Sequence, residues 1–276
     1  MLPLRNTFYS GKTEVRWDSM GDGPDLVVIH GTPFSCQVWR KIVPLLAEHW
    51  RVWYYDMPGY GQSSKHDNED ISLGIQNEIF CQLLGEWDLN KPDILCHDFG
   101  GATALRAYFL NGIRYSSLTL FDAVAVTPWG SPFVAHVKQY EAAFAGLPDY
   151  AHRALLKAYL QGAAFHKLRD EAFEVYMTPW LNQEGQSAFY RQIAQMDERY
   201  TEEAQRLYGP MECPVRILWG ECDAWVPPER GMELAELLDA KPLTLIPEAG
   251  HLLQEDAPEA IVASMLNLLA IKNNKN

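Results

Sequence analysis

Asp98 stands where a hydroxyl nucleophile is expected. The stretch Pro92-Asp93-Ile94-Leu95-Cys96-His97-Asp98-Phe99-Gly100-Gly101-Ala102 reads as a short apolar strand that turns sharply into a helix. The apex of such a strand–turn–helix is where the elbow motif G-x-S-x-G presents its serine. A carboxylate there attacks a substrate carbon directly and leaves an ester on the enzyme. That exchange moves the chemistry away from ordinary esters and towards epoxides and carbon–halogen bonds. The elbow is a strained turn that admits only small neighbours, a condition met by Gly100, Gly101 and Cys96. Asp at a helix start also reads as an N-cap.

The elements that must position Asp98 alternate along the chain. Strands are expected at Thr13 to Ser19, Asp25 to His30, Arg51 to Asp56, the run ending at Asp98, Ser117 to Asp122, Pro214 to Trp219 and Leu243 to Ile246. Several are continuous apolar runs, as in strands covered on both faces. Helical periodicity falls between them, at Val38 to His49, Ile71 to Trp87, the stretch from the elbow through Leu110, Pro228 to Leu238 and Ala257 to Leu269. Strands separated by helices imply parallel pairing, hence an α/β fold with a mostly parallel, doubly wound sheet. Residues 127–207 break the rhythm with helix formers and aromatics and no convincing strand. They are read as a helical cap inserted into a core formed by residues 1–126 and 208–276, with Lys272 to Asn276 as a frayed tail.

Composition bounds the partners. The formal charge of −13 argues against nucleic acid, whose phosphates call for basic patches. No apolar run approaches the roughly 20 residues of a membrane span, and the N-terminus shows no signal-peptide pattern. The 5 cysteines form no C-x-x-C pair, which fits a reducing cytoplasm, no structural zinc and no metal site. No cofactor is expected, and a homodimer is compatible with the sequence.

Five motifs occur in order, each after an expected strand: His30-Gly31-Thr32-Pro33, Asp56-Met57-Pro58-Gly59-Tyr60-Gly61-Gln62-Ser63, the elbow, Gly220-Glu221-Cys222-Asp223-Ala224-Trp225-Val226-Pro227, and Ala249-Gly250-His251-Leu252-Leu253-Gln254-Glu255-Asp256. Together they resemble the α/β-hydrolase fold family, in its epoxide hydrolase and haloalkane dehalogenase branch. The resemblance implies Asp98 as nucleophile, His251 as the base that activates water, and Asp223 as the acid orienting His251. Asp122, at the end of its strand, is the alternative acid, since some dehalogenases resemble that arrangement. The backbone N–H groups of Thr32 and Phe99 are the implied oxyanion hole, with His30 and Pro33 shaping the loop.

The same resemblance separates substrates. Dehalogenases usually place Trp after the nucleophile and Asn at the position of Thr32 to hold halide; Phe99 has no donor and Thr32 is a poorer ligand. Epoxide opening calls for cap tyrosines as acids. Ala188-Phe189-Tyr190-Arg191-Gln192 resembles the supplying segment, with Tyr190 as one candidate and Tyr140 or Tyr150 as the second. Trp129, Tyr140 and Trp180 are expected to line the pocket, and either indole to donate to a halide if the substrate carries one. The leading expectation is an epoxide opened to a diol, with a small apolar electrophile and water as substrates. Haloalkane or haloacid dehalogenation through the same Asp98 ester is the alternative, and a non-catalytic ligand binder on this scaffold comes last.

Overall fold

Continuous apolar runs become the centre of a sheet of eight strands in the computed structural model, which describes residues 1–240 and 242–273. The strands are β1 (Asn6–Ser10), β2 (Thr13–Met20), β3 (Asp25–Ile29), β4 (Arg51–Tyr55), β5 (Asp93–His97), β6 (Ser117–Phe121), β7 (Val215–Gly220) and β8 (Thr244–Ile246). Their spatial order is β1-β2-β4-β3-β5-β6-β7-β8. β5 and β6 are buried at every residue, as expected where helices cover both faces. β3 through β8 pair in parallel, whereas β1 and β2 form an antiparallel hairpin on β4. β1 was not expected, because its residues are only partly buried and carry no clean alternation.

The helices are α1 (Val43–Leu46), α2 (Leu73–Glu86), α3 (Phe99–Phe109), α4 (Pro132–Ala145), α5 (Asp149–Gln161), α6 (Asp170–Met177), α7 (Gln183–Ala194), α8 (Arg199–Gln205), α9 (Pro228–Leu237), α10 (Leu253–Asp256) and α11 (Pro258–Asn273). The single helix expected over Val38 to His49 is a 3-10 turn, Cys36–Lys41, followed by the four-residue α1. Pro44 accounts for the break, since its ring fits only a first helical turn. α4 to α8 fill the interval between β6 and β7, and no strand occurs there among the described residues. α11 runs on through Lys272, whose ammonium bonds the Asp93 carboxylate and, at 2.8 Å, the Ser116 hydroxyl. Lys272 and Asn273, expected in a frayed tail, are thus helical; residues 274–276 of that expectation lie outside the described residues. No described helix is long and apolar enough to cross a membrane.

Parallel registry decides where the loops emerge. Ile29 is level with Cys96, His97 with Phe121, Phe121 with Leu218, and Gly220 with Ile246. The loops after β3, β5, β6, β7 and β8 thus leave one edge of the sheet, where open α/β sheets bind ligands. β3 and β5 approach so closely that only glycine fits between the loops. A Cβ on Gly31 would fall 2.3 Å from Asp98 Cβ, and one on Gly100 would fall 2.4 Å from the Ile29 carbonyl oxygen. A backbone oxygen cannot swing aside. Gly100→Ala should cost about 2–3 kcal/mol, lowering Tm by roughly 5–10 °C in thermal unfolding followed by circular dichroism; an unchanged Tm would show that the elbow has slack.

Candidate active site

Asp98 adopts φ 53° and ψ −121°, a left-handed conformation that a non-glycine residue takes up only under constraint. Its side chain makes no capping bond to α3, so the N-cap reading does not describe it. The carboxylate instead faces two directions. Oδ1 accepts the Thr32 N–H at 2.6 Å, and Oδ2 lies 3.3 Å from His251 Nε2. That second pair is close but not aligned as a hydrogen bond, which leaves Nε2 without a bonded partner.

His251 is fixed from behind. Its Nδ1–H donates to Asp223 Oδ2 at 2.9 Å, while Asp223 Oδ1 accepts the Trp225 and Val226 N–H groups at 2.8 and 2.9 Å. His97 donates from Nε2 to the His251 carbonyl at 2.8 Å, its ring 4.8 Å from that of His251. Burial, then the neighbouring His251, pushes His97 down to about 3, so it stays neutral and acts only as a strut. His30 ties the loops together: it donates from Nδ1 to the Gly31 carbonyl and accepts the Met57 N–H at Nε2, both at 2.9 Å.

The charges support one another. Burial opposes the His251 imidazolium, but Asp223 and Asp98 outweigh it and raise its pKa well above that of free histidine. Burial likewise pushes the Asp98 carboxyl up, and His251, His97 and the Phe99 N–H together hold it below its ordinary value. Asp122, the alternative acid, is also buried and bonds the Gly220 N–H at 2.8 Å through Oδ1, with Oδ2 unpartnered. Burial and then Asp223 raise it well above an ordinary carboxyl. The structure brings Asp98, His251 and Asp223 together in one chain of contacts and leaves Asp122 beside it, without a bond to His251 Nδ1.

A small cavity opens onto Asp98. Thr32, Phe99 and Val124 form its floor; Trp129, Val134, Tyr159 and Met196 from the helical insertion and Trp225 close the rest. Trp129 lines it as expected, but its indole N–H donates to Thr201 Oγ1 at 3.0 Å. Trp180 does not line it; its N–H donates to the Pro33 carbonyl at 3.0 Å. Tyr140 and Tyr150 are corrections of another kind, being 46% and 79% exposed on the outside of the insertion. Tyr190 is fully buried away from the cavity. There His152 Nε2–H donates to the Trp180 carbonyl, so its Nδ1 must accept the Tyr190 O–H, both at 2.9 Å.

Tyr159 takes the place that sequence reasoning gave to Tyr190. It lines the cavity, stacks on Trp225 with ring centres 4.6 Å apart, and no described residue bonds its hydroxyl. Burial and then Asp98 raise its pKa, so it keeps its proton. Trp225 in turn leans over the His251 ring at 5.1 Å. Nothing in the local sequence sets Tyr159 apart from the other insertion tyrosines; its place depends on how α5 packs.

Residues 26–264 match the Alpha/beta hydrolase family. The chain belongs to that family. It is similar to an alpha/beta hydrolase fold protein from Burkholderia ambifaria whose crystal structure is 55% identical, with a TM-score of 0.95 over 97% of this chain and 98% of that one. It resembles the haloalkane dehalogenase DbeA from Bradyrhizobium elkani in fold, with 21% identity, a TM-score of 0.79 and coverage of 98% and 99%. A Pseudomonas putida protein, the dihydrolipoyllysine-residue acetyltransferase component of an acetoin cleaving system, is 27% identical over 92% of this chain and 66% of its own length. In this α/β-fold hydrolase, Asp223→Asn should lower turnover by about 10⁴-fold by upsetting the His251 tautomer. Asp122→Asn should cost at most a few-fold, because its carboxyl is already held towards the neutral form; steady-state kinetics of the two variants on one substrate checks the assignment, which equal losses would reverse.

Proposed function

We propose that this hydrolase opens a small, uncharged epoxide to a diol through an ester on Asp98. The observation that carries the proposal is the strained Asp98 carboxylate, uncapped, with one oxygen on the Thr32 N–H and the other turned to His251. Oδ2 attacks an epoxide carbon and the carbon–oxygen bond breaks. Tyr159, the unengaged hydroxyl in the cavity, gives its proton to the departing oxygen. Water then adds to the Asp98 ester carbonyl, with His251 Nε2 taking its proton and the Thr32 and Phe99 N–H groups holding the negative charge that develops on Oδ1. Collapse expels the diol oxygen, which takes the proton of the newly added hydroxyl, and leaves Asp98 ionised beside the His251 imidazolium, as in the resting site. Epoxide plus water gives diol, and nothing else is consumed.

The electrostatics suit the sequence of steps. In the resting site Asp98 helps to keep His251 protonated. Esterification removes that negative charge, so the imidazolium loses support, gives its proton to the Tyr159 phenolate left by ring opening, and becomes the free base that the second step needs. Among the described residues that line the cavity, Asp98 is the one acidic side chain and no Lys or Arg is present to meet a substrate carboxylate, which argues against a haloacid. The Trp129 and Trp180 indole N–H groups, the donors expected to hold a halide, are spent on Thr201 and Pro33. That disfavours a haloalkane, although dehalogenases share the fold.

His251→Gln should leave Asp98 able to react but stop hydrolysis, with turnover down at least about a thousandfold. Mass spectrometry after exposure to styrene oxide should show an adduct on the Asp98 peptide; an unlabelled Asp98 sinks the nucleophile reading. The two steps should also part with pH. Asp98, depressed, stays ionised as pH falls towards 5, so ester formation persists. Hydrolysis needs neutral His251 and is lost as pH falls through its pKa in the ester. Rapid-quench measurement between about pH 5 and 8 should therefore show a pH-independent burst and a falling steady state; a burst that falls in parallel contradicts the scheme.

A further inference from the structure

The turn that follows α5 is fastened to the loop that carries His251. Asp256 supplies the fastening. Its Oδ2 accepts the Phe165 N–H at 2.8 Å and the Gly250 N–H at 2.9 Å, and its Oδ1 accepts the His166 N–H at 3.0 Å. The Leu252 N–H donates to the Ala163 carbonyl at 2.8 Å beside it. Contact is tight: a Cβ on Gly250 would lie 2.8 Å from the Phe165 nitrogen and 3.0 Å from the Ala163 oxygen. One carboxylate thus binds two segments far apart in sequence, the turn that follows the helix of Tyr159 and the residue before His251.

We propose that Asp256 is a positioning residue that holds the proton donor Tyr159 and the base His251 in fixed register across the cavity. The inference rests on the reading of Tyr159 given above. Without the clip, α5 is held at this end by the Leu252–Ala163 bond and by packing of the Tyr159 ring on Trp225, Phe133 and Phe189, and apolar ring contacts do not fix the hydroxyl to the fraction of an ångström that proton transfer needs. The carboxylate suits the task because it accepts three N–H groups from two segments at once, which no neutral side chain does.

A double-mutant cycle tests this, with kcat/KM for styrene oxide as the readout and Tyr159→Phe, Asp256→Ala and the pair as variants. Tyr159→Phe should lose about a hundredfold and Asp256→Ala about tenfold, with KM little changed. Because Asp256 acts through Tyr159, removing it from the Tyr159→Phe protein should cost less than about twofold. A further tenfold loss in the pair, or full activity of Asp256→Ala, overturns the inference and leaves the role of Tyr159 standing. Full activity of Tyr159→Phe, or no reaction of styrene oxide with the unaltered enzyme, overturns the reading beneath it and the inference together. Should Asp256→Ala not fold, Gly250→Ala pushes the same turn away from the other side, and the same non-additivity is required of it.

Discussion

A buried imidazole between two buried carboxylates is the interaction on which this molecule depends. Asp98 and Asp223 reach His251 at 3.3 and 2.9 Å, and none of the three side chains is more than 5% exposed. Leaving any one of these charges unpaired in so dry a place would cost several kcal/mol. The arrangement is stable only if every partner is held, so the surrounding backbone is spent on holding them. Asp223 takes two N–H groups, Asp98 takes one from across the β3–β5 gap, and His97 props the His251 carbonyl. The same pairing makes the basicity of the imidazole depend on both carboxylates, since each of them raises its pKa.

Such holding explains how the insertion is attached. Its helices could rock over the sheet edge if only apolar contacts joined them to it. Polar ties instead gather on the turn just past His251. Asp256 bonds the end of α5, and Glu255 accepts the Tyr176 O–H of α6 at 2.5 Å while pairing with Arg40 at 2.5 Å. The Glu255 side chain is only 8% exposed, a setting in which a paired carboxylate counts for more than at the surface. The base and the roof of the cavity therefore share one anchor.

Local backbone geometry was legible in the sequence and long-range packing was not. Asp98 could be read because strand, small residues and helix within ten positions define the elbow by themselves. β3 and β5 could be read because their apolar runs admit no other role. β1 could not, being a half-exposed edge, and Pro44 divided a helix whose periodicity otherwise looked intact. Asp122 and Asp223 end adjacent strands and are alike in sequence; only the direction of the loop after β7 brings one to His251 Nδ1. The tyrosines show the limit most plainly. Tyr190 and Tyr159 both sit on amphipathic helices among aromatics, and which one meets the cavity depends on how α5 and α7 rotate against each other and the sheet. His152 takes up the Tyr190 hydroxyl, and nothing near that tyrosine in the chain announces it.

The same distinction bears on the choice of substrate. A hydrolase with a carboxylate nucleophile needs a carbon electrophile whose leaving atom is stabilised as it departs. An epoxide oxygen needs a proton donor; a halide needs N–H or cationic contacts that persist after the bond breaks. Here the Trp129 and Trp180 indole N–H groups are bonded within the protein, and the Tyr159 phenol lines the cavity. A buried phenol whose pKa is raised stays protonated until a stronger base appears, and an alkoxide released by ring opening is such a base, whereas a halide ion is far too weak to draw the proton. On the reading proposed above, the donor is matched to a leaving group that must be protonated, which would separate ring opening from halide release in a site with the same nucleophile and the same base.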